Sequence, residues 1–105
     1  MAYSTVTVTP SSNVLGGYIE ASRVGRVLMV SMFCSLKAMA AWEDLFLVGT
    51  LPFNVNTIEA IAYAQDTSRC VILNARGNSL YIRNKNGVAL GADQWYMGQV
   101  VTSLA

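Results

Sequence analysis

The 105-residue sequence contains no histidine. That absence excludes imidazole general bases, imidazole metal ligands and Ser-His-Asp triads. Charge is scarce too: seven Lys or Arg and six Asp or Glu amount to 12% of the residues, against about 25% in a typical soluble domain. A formal net charge of +1 supplies no electrostatic footprint for nucleic acid or an anionic membrane. The only two cysteines, Cys34 and Cys70, lack the histidine that usually activates a thiolate. Both read as reduced, buried small hydrophobes. Gly16-Gly17 and Gly25 lack the Lys-Ser/Thr that completes a phosphate-cradling loop. Of the carboxylates, only Glu43 and Asp44 are adjacent, and neighbours on a strand point to opposite faces. They cannot flank a glycosidic bond as an acid/base pair. Beyond scattered carboxylates and serines nothing motivates an enzyme, so no catalytic residue, metal site or cofactor is assigned.

What the sequence does hold is apolar: 53% of its residues are hydrophobic, which excludes intrinsic disorder. Its length is that of one domain, residues 1–105, able to bury roughly two thirds of its unfolded surface. The first residues, Met1 to Val6, lack the basic and apolar regions of a secretory signal. Synthesis in a cytoplasm without a signal peptide is therefore expected. Val27 to Trp42 is nearly all apolar, yet Lys37 interrupts it and Glu43-Asp44 close it. At that length, below the ~20 residues of a spanning helix, membrane insertion is not expected.

Period-two alternation dominates the chain. Thr5, Thr7 and Thr9 alternate with Val6 and Val8, and Pro10 to Asn13 supplies turn chemistry. Gly16-Gly17 predicts a bend or bulge before a short strand Tyr18–Ala21. Arg23 to Arg26 reads as a turn into a strand Val27–Leu36. Lys37 to Trp42 contains good helix formers and is read as a possible helical turn. Glu43–Thr50 predicts a strand, Leu51-Pro52-Phe53 its break, and Asn54-Val55-Asn56 a polar loop. Strands then follow over Thr57–Gln65, Arg69–Ala75, Ser79–Arg83 and Trp95–Leu104. Turns are expected at Asp66-Thr67-Ser68, Arg76-Gly77-Asn78 and Asn86-Gly87, with Gly91-Ala92-Asp93 as a loop. Short strands at this spacing predict an all-β, antiparallel β-sandwich or barrel.

Val27–Leu36 is apolar on both faces. Val27, Met29 and Phe33 share one face with Ser31 and Ser35, while Leu28, Val30, Met32, Cys34 and Leu36 share the other. A second layer of the same domain covers one face; the other asks for a partner. The row Leu28, Val30, Met32 and Leu36 is assigned to contact between copies in a closed homo-oligomer. For a polar ligand, Arg83-Asn84-Lys85-Asn86 is the densest cluster of donors, with a solvated hairpin tip as the plainer reading. Trp42 and the pair Trp95-Tyr96 flank loops, where an exposed ring could stack on a sugar face, although aromatics also serve as core anchors.

The order of features is familiar. Gly25 to Ser31 opens the long strand, Trp42 follows, and then come Val48-Gly49-Thr50-Leu51-Pro52, Val71 to Ile82, and Trp95 to Thr102. This arrangement, from Val27 to the end, resembles the C-terminal head domains of bacteriophage tail fibres and baseplate receptor-binding proteins. Phe53-Asn54-Val55-Asn56 stands where such proteins often carry a Gly-Tyr-Arg-Pro type stretch. The resemblance implies a jelly-roll-like β-sandwich assembled as a homotrimer on the virion. It also implies a place in the tail fibre or baseplate beside other tail or fibre proteins, and contact with a host surface glycan. The alternative is a structural virion module (capsid decoration, trimerisation or adaptor domain) without receptor contact.

Overall fold

The computed structural model describes residues 3–64 and 69–105. The turn expected at Asp66-Thr67-Ser68 lies outside the described residues. Seven strands form in chain order: β1 (Ser4–Val6), β2 (Thr9–Pro10), β3 (Val14–Val24), β4 (Val27–Leu36), β5 (Phe46–Ala64), β6 (Arg69–Arg83) and β7 (Gln94–Ser103). All the pairings are antiparallel. Among the described residues no helix forms, and the helical turn expected over Lys37–Trp42 is instead a bridge at Met39, paired with Leu90, followed by a turn. Good intrinsic helix formers do not nucleate a helix in six residues.

The strands make one hydrogen-bonded sheet in the order β1-β3-β4-β7-β5-β2, with β6 paired to β5. The two ends of this path are neighbours in sequence, separated by Thr7 and Val8. Ser4–Val6 pairs with β3 at Ala21–Arg23, and Thr9–Pro10 pairs with β5 at Gly49–Thr50. One short segment therefore closes the curled sheet around its core, and the sandwich-like form comes from a single sheet wrapping round on itself. At about 3.3 Å per residue, 19 straight residues of β5 would exceed the 42 Å long dimension of the molecule, so β5 has to bend.

The bends account for strands that sequence patterning divides. Register slips fall between Leu47 and Gly49, Thr50 and Val55, and Val55 and Ile58. Across these slips the parity that faces inward changes twice: Phe46 and Val48 are buried, then Leu51 and Val55, then Ala62 and Ala64. The break expected at Leu51-Pro52-Phe53 and the loop expected at Asn54–Asn56 are thus irregular stretches of one strand. Pro52, exposed, occupies an unpaired position where its missing N–H costs no ladder bond. The turn expected at Arg76-Gly77-Asn78 is likewise a kink inside β6. Gly77 takes φ +58° there and pairs with Val55.

The inward face of β4 is the centre of the core. Leu28, Val30, Met32, Cys34 and Leu36 are at most 2% exposed. They meet Val71, Leu73, Leu80 and Ile82 of β6, Tyr96 and Val100 of β7, and Met39 and Leu90 from the loops. The assignment of Leu28, Val30, Met32 and Leu36 to contact between copies is corrected: the chain's own curled sheet encloses them. Gly98 permits a close crossing, where a Cβ would stand 2.7 Å from Cβ of Ala62 on β5. The two cysteines are unpaired; Cys34 is buried as expected, whereas Cys70 is exposed. Burial pushes the Cys34 thiol up to about 11.

Two substitutions on adjacent residues test which face of β4 is inside. Leu28→Ala is expected to cost about 2–5 kcal/mol, the transfer term plus a cavity. Met29→Ala, half-buried on the opposite face, is expected to cost under about 1 kcal/mol by comparison. Urea denaturation of each variant reads the difference; equal losses would contradict the inward placement of Leu28.

Candidate functional site

Between β4 and β5 the chain runs through Lys37–Leu45, and this loop presents the most exposed tryptophan of the molecule. Trp42 is 65% exposed and adopts φ +58°, with Leu45 close behind at φ +52°. A bulky residue in the left-handed region costs on the order of 1–3 kcal/mol and persists only where its surroundings over-determine it. Those surroundings are residues 83–86. The Trp42 N–H donates to the Asn86 carbonyl at 2.9 Å, and the Asn84 N–H donates to the Glu43 carbonyl at 2.8 Å. The Asn84 side-chain amide donates to the carbonyls of Ala40, 2.9 Å, and Val88, 3.1 Å. Asn86 in turn donates from its side chain to the Cys70 carbonyl on β6, 2.9 Å.

The ring itself lies against a residue without a side chain. A Cβ on Gly87 would stand 3.3, 3.4 and 3.5 Å from Nε1, Cζ2 and Cε2 of Trp42. These three atoms are neighbours along the nitrogen side of the indole, so the missing side chain of Gly87 makes room for that side of the ring. Below the loop, Arg83 donates to both carboxylate oxygens of Asp44, at 2.5 and 3.2 Å, and to Oε2 of Glu59. Asn74, buried, donates to the same Glu59 oxygen at 2.9 Å. These hydrogen bonds from Arg83 hold both the Asp44 and Glu59 carboxyls below their ordinary values, and the two carboxylates push the guanidinium upward.

The structure therefore brings Trp42, Arg83, Asn84, Lys85 and Asn86 together but divides their roles. Asn84 is fully buried and serves as a cradle; a ligand contact there is corrected. Arg83 is engaged by two carboxylates, Asn86 is half-buried with its amide engaged, and Lys85 is exposed. Trp95 and Tyr96 sit elsewhere, on opposite faces of β7. Tyr96 is fully buried and cannot meet a ligand, and burial pushes its hydroxyl up to about 12. Trp95 is half-buried and stacks on Phe33, centroids 4.9 Å apart. Sequence reasoning missed Gly87, Asp44, Glu59 and Asn74 as parts of this cluster.

A second feature lies on the outer face of the sheet. Tyr18 of β3 stands opposite Phe33 of β4, Phe33 opposite Met97 of β7, and Met97 opposite Tyr63 of β5. The four make an apolar row across four strands, and Tyr18, Tyr63, Met97 and nearby Ile61 are all exposed. They line a depression of about 540 Å³ that includes Ser31 and Gln99. A neighbouring depression of about 820 Å³ begins at these same two residues and extends to Thr5 and Thr7. Two strand positions further on, Met29 faces the exposed Val101. The face that needs cover is thus the other parity of β4, that of Met29 and Phe33.

No family model matches this sequence, and no curated protein matches it. Among solved structures, the crystal structure of the head domain of phage bIL170, presented in connection with a common fold for the receptor binding domains of lactococcal phages, is similar. The TM-score is 0.84 at 15% sequence identity, over 99% of this chain and 100% of that one. At so low an identity the likeness establishes a shared fold.

The ion pairs under Trp42 carry a pH signature. Carboxyls whose folded values are depressed contribute stability above their ordinary range, and that contribution is lost as pH falls through the lowered values. The environment of Trp42 is expected to stay constant from neutrality down to about pH 4 and to change only below it. Trp42 fluorescence in a Trp95→Phe background reads this. A transition centred near neutrality would rule out the Asp44–Arg83–Glu59 cluster as its cause.

Proposed function

We propose that this chain is a host-recognition head of a phage virion, a non-catalytic module that binds a cell-surface saccharide through Trp42. The observation that carries the reading is Trp42 itself, an indole packed against Gly87 along its nitrogen side with 65% of its surface in solvent. Trp42 takes no part in the core, although Met39 earlier in the same loop does. A flat, exposed, pre-organised ring stacks on the C–H face of a sugar without an ordering cost on binding, and Lys85 beside it is a free polar contact. The fold shared with the head domain of phage bIL170 supports the assignment to a tail or baseplate tip.

The module works as a homo-oligomer, most simply a trimer, with the row Tyr18, Phe33, Met97 and Tyr63 turned toward the neighbouring copy. This face supports that role because, among the described residues, six of the eleven large exposed hydrophobics lie on it (Tyr18, Val27, Ile61, Tyr63, Met97 and Val101). Glu20 is the single charged residue among its outward positions on β3, β4 and β7. Interfaces that bury apolar cores and exclude charge are characteristic of permanent assemblies. A jelly-roll arrangement of the copies' strands and contacts with other tail proteins belong to the same reading.

Binding to cell-wall polysaccharides from a panel of bacteria that includes lactococci tests the first part. Trp42→Ala is expected to weaken retention at least tenfold while leaving the melting temperature within a few degrees of wild type; undiminished retention would move the saccharide contact away from Trp42, and a wild-type protein that binds none of the panel would leave a structural module without receptor contact as the better reading. Light scattering at low micromolar concentration tests the second. The wild-type mass is expected to be three times that of the chain, and Met97→Lys is expected to reduce it to that of a monomer. A wild-type monomer would remove the oligomeric part of the proposal.

A further inference from the structure

We propose that Arg83 is a positioning residue for Trp42, acting on saccharide binding only through the conformation of the Trp42 loop. The inference rests on the reading of Trp42 as the binding platform and assigns a regulator of that same site. Three segments distant in sequence meet at the guanidinium: Asp44 in the loop, Glu59 in the second half of β5, and the end of β6 that carries Arg83 itself. Two of the guanidinium's nitrogens face Asp44 in a side-on pair, and the third faces Glu59. Three of its five N–H donors, one on each nitrogen, are thereby committed within the chain, and the side chain stays 24% exposed.

Asp44 lies at the position where a restraint controls Trp42. It stands between the two left-handed residues, Trp42 and Leu45, and its Oδ1 also accepts from the Leu45 N–H at 3.0 Å. On the N-terminal side, the loop is held by Asn84 and Asn86 through backbone groups. On the C-terminal side, Arg83 is the only side chain from outside the loop that bonds to Asp44 among the described residues. Without it, the left-handed Leu45 and the ring two residues before Asp44 lose the side-chain anchor that ties them to the end of β6. A lysine cannot replace the arrangement, because a point charge does not span two carboxylates in a planar fork.

A double-mutant cycle in a Trp95→Phe background, where Trp42 is the sole tryptophan, tests this. In Arg83→Gln and in Arg83→Lys the Stern–Volmer constant for iodide quenching of Trp42 is expected to rise about twofold, as the loop opens and the side of the ring packed against Gly87 becomes accessible. Circular dichroism should show the β-sheet intact. Retention on the polysaccharide panel is expected to fall at least tenfold in Arg83→Gln, and Trp42→Ala with Arg83→Gln should lose no more than Trp42→Ala alone. Losses that multiply would mean that Arg83 contacts the saccharide directly, and would overturn the proposal. An unchanged quenching constant in Arg83→Gln would overturn it as well. If the wild-type protein binds no polysaccharide, the reading of Trp42 as a binding platform fails, while quenching alone still decides whether Arg83 positions the ring.

Discussion

A sheet with apolar side chains on both faces can hide only one of them by curling. That constraint organises this molecule. The core forms because β5 and β6 bend in the middle and wrap their inner parity around Leu28, Val30 and Met32. The slips offset the strand by one residue at two places and by three between Thr50 and Val55, so that Asn54 and Asn56 stay outside on either side of the buried Val55 and the buried sequence resumes beyond them. The close approach at Gly98 and Ala62 draws β5 onto β7 and completes the enclosure. The outer parity remains, with too few charged residues in the whole chain to make it hydrophilic.

The Trp42 loop answers a different problem, that of keeping a large ring out of the core. A chain with this much apolar surface would ordinarily tuck a tryptophan away. Here backbone strain at two residues and a buried asparagine hold it outward. Neither the strain nor the buried amide adds to the core, and the arrangement is stable because β5, β6 and the following loop converge on it from three sides. Local cost supported by distant structure is the usual mark of a site shaped by use.

Much of the fold was legible. The alternation of Thr and Val near the start, the two-faced Val27–Leu36 and the strands on either side of Asp66–Ser68 all follow the period of an extended chain. What the pattern misjudged were continuations: Pro52 and Gly77 look like ends of strands and are kinks within them, because a bulge and a turn draw on the same residues. The inner and outer faces of β4 could not be told apart, since Leu28 and Met29 are equally apolar and only the curl of the sheet decides between them. For the site, the run Arg83–Asn86 was recognisable as a cluster, and Trp42 as an exposed ring. Their relation was not, because the bonds that join them span some forty residues of chain and depend on β6 ending beside the loop. The adjacency of Trp95 and Tyr96 misled: consecutive strand residues part to opposite sides, and one of them had to be inside.

The seam formed by Ser4–Pro10 has a bearing on how the molecule is made. Its two short pairings reach β3 at Ala21–Arg23 and β5 at Gly49–Thr50, so the earliest part of this sequence to leave a ribosome cannot dock fully until β5 has followed it. Until then β3 and β5 each keep an open edge, the situation in which strands of separate chains find one another. The loop-closure entropy of such a late, long-range contact slows the final step. Pairing of an open edge with another chain during synthesis would therefore compete with closure, and whichever comes first sets the yield of correctly folded chains.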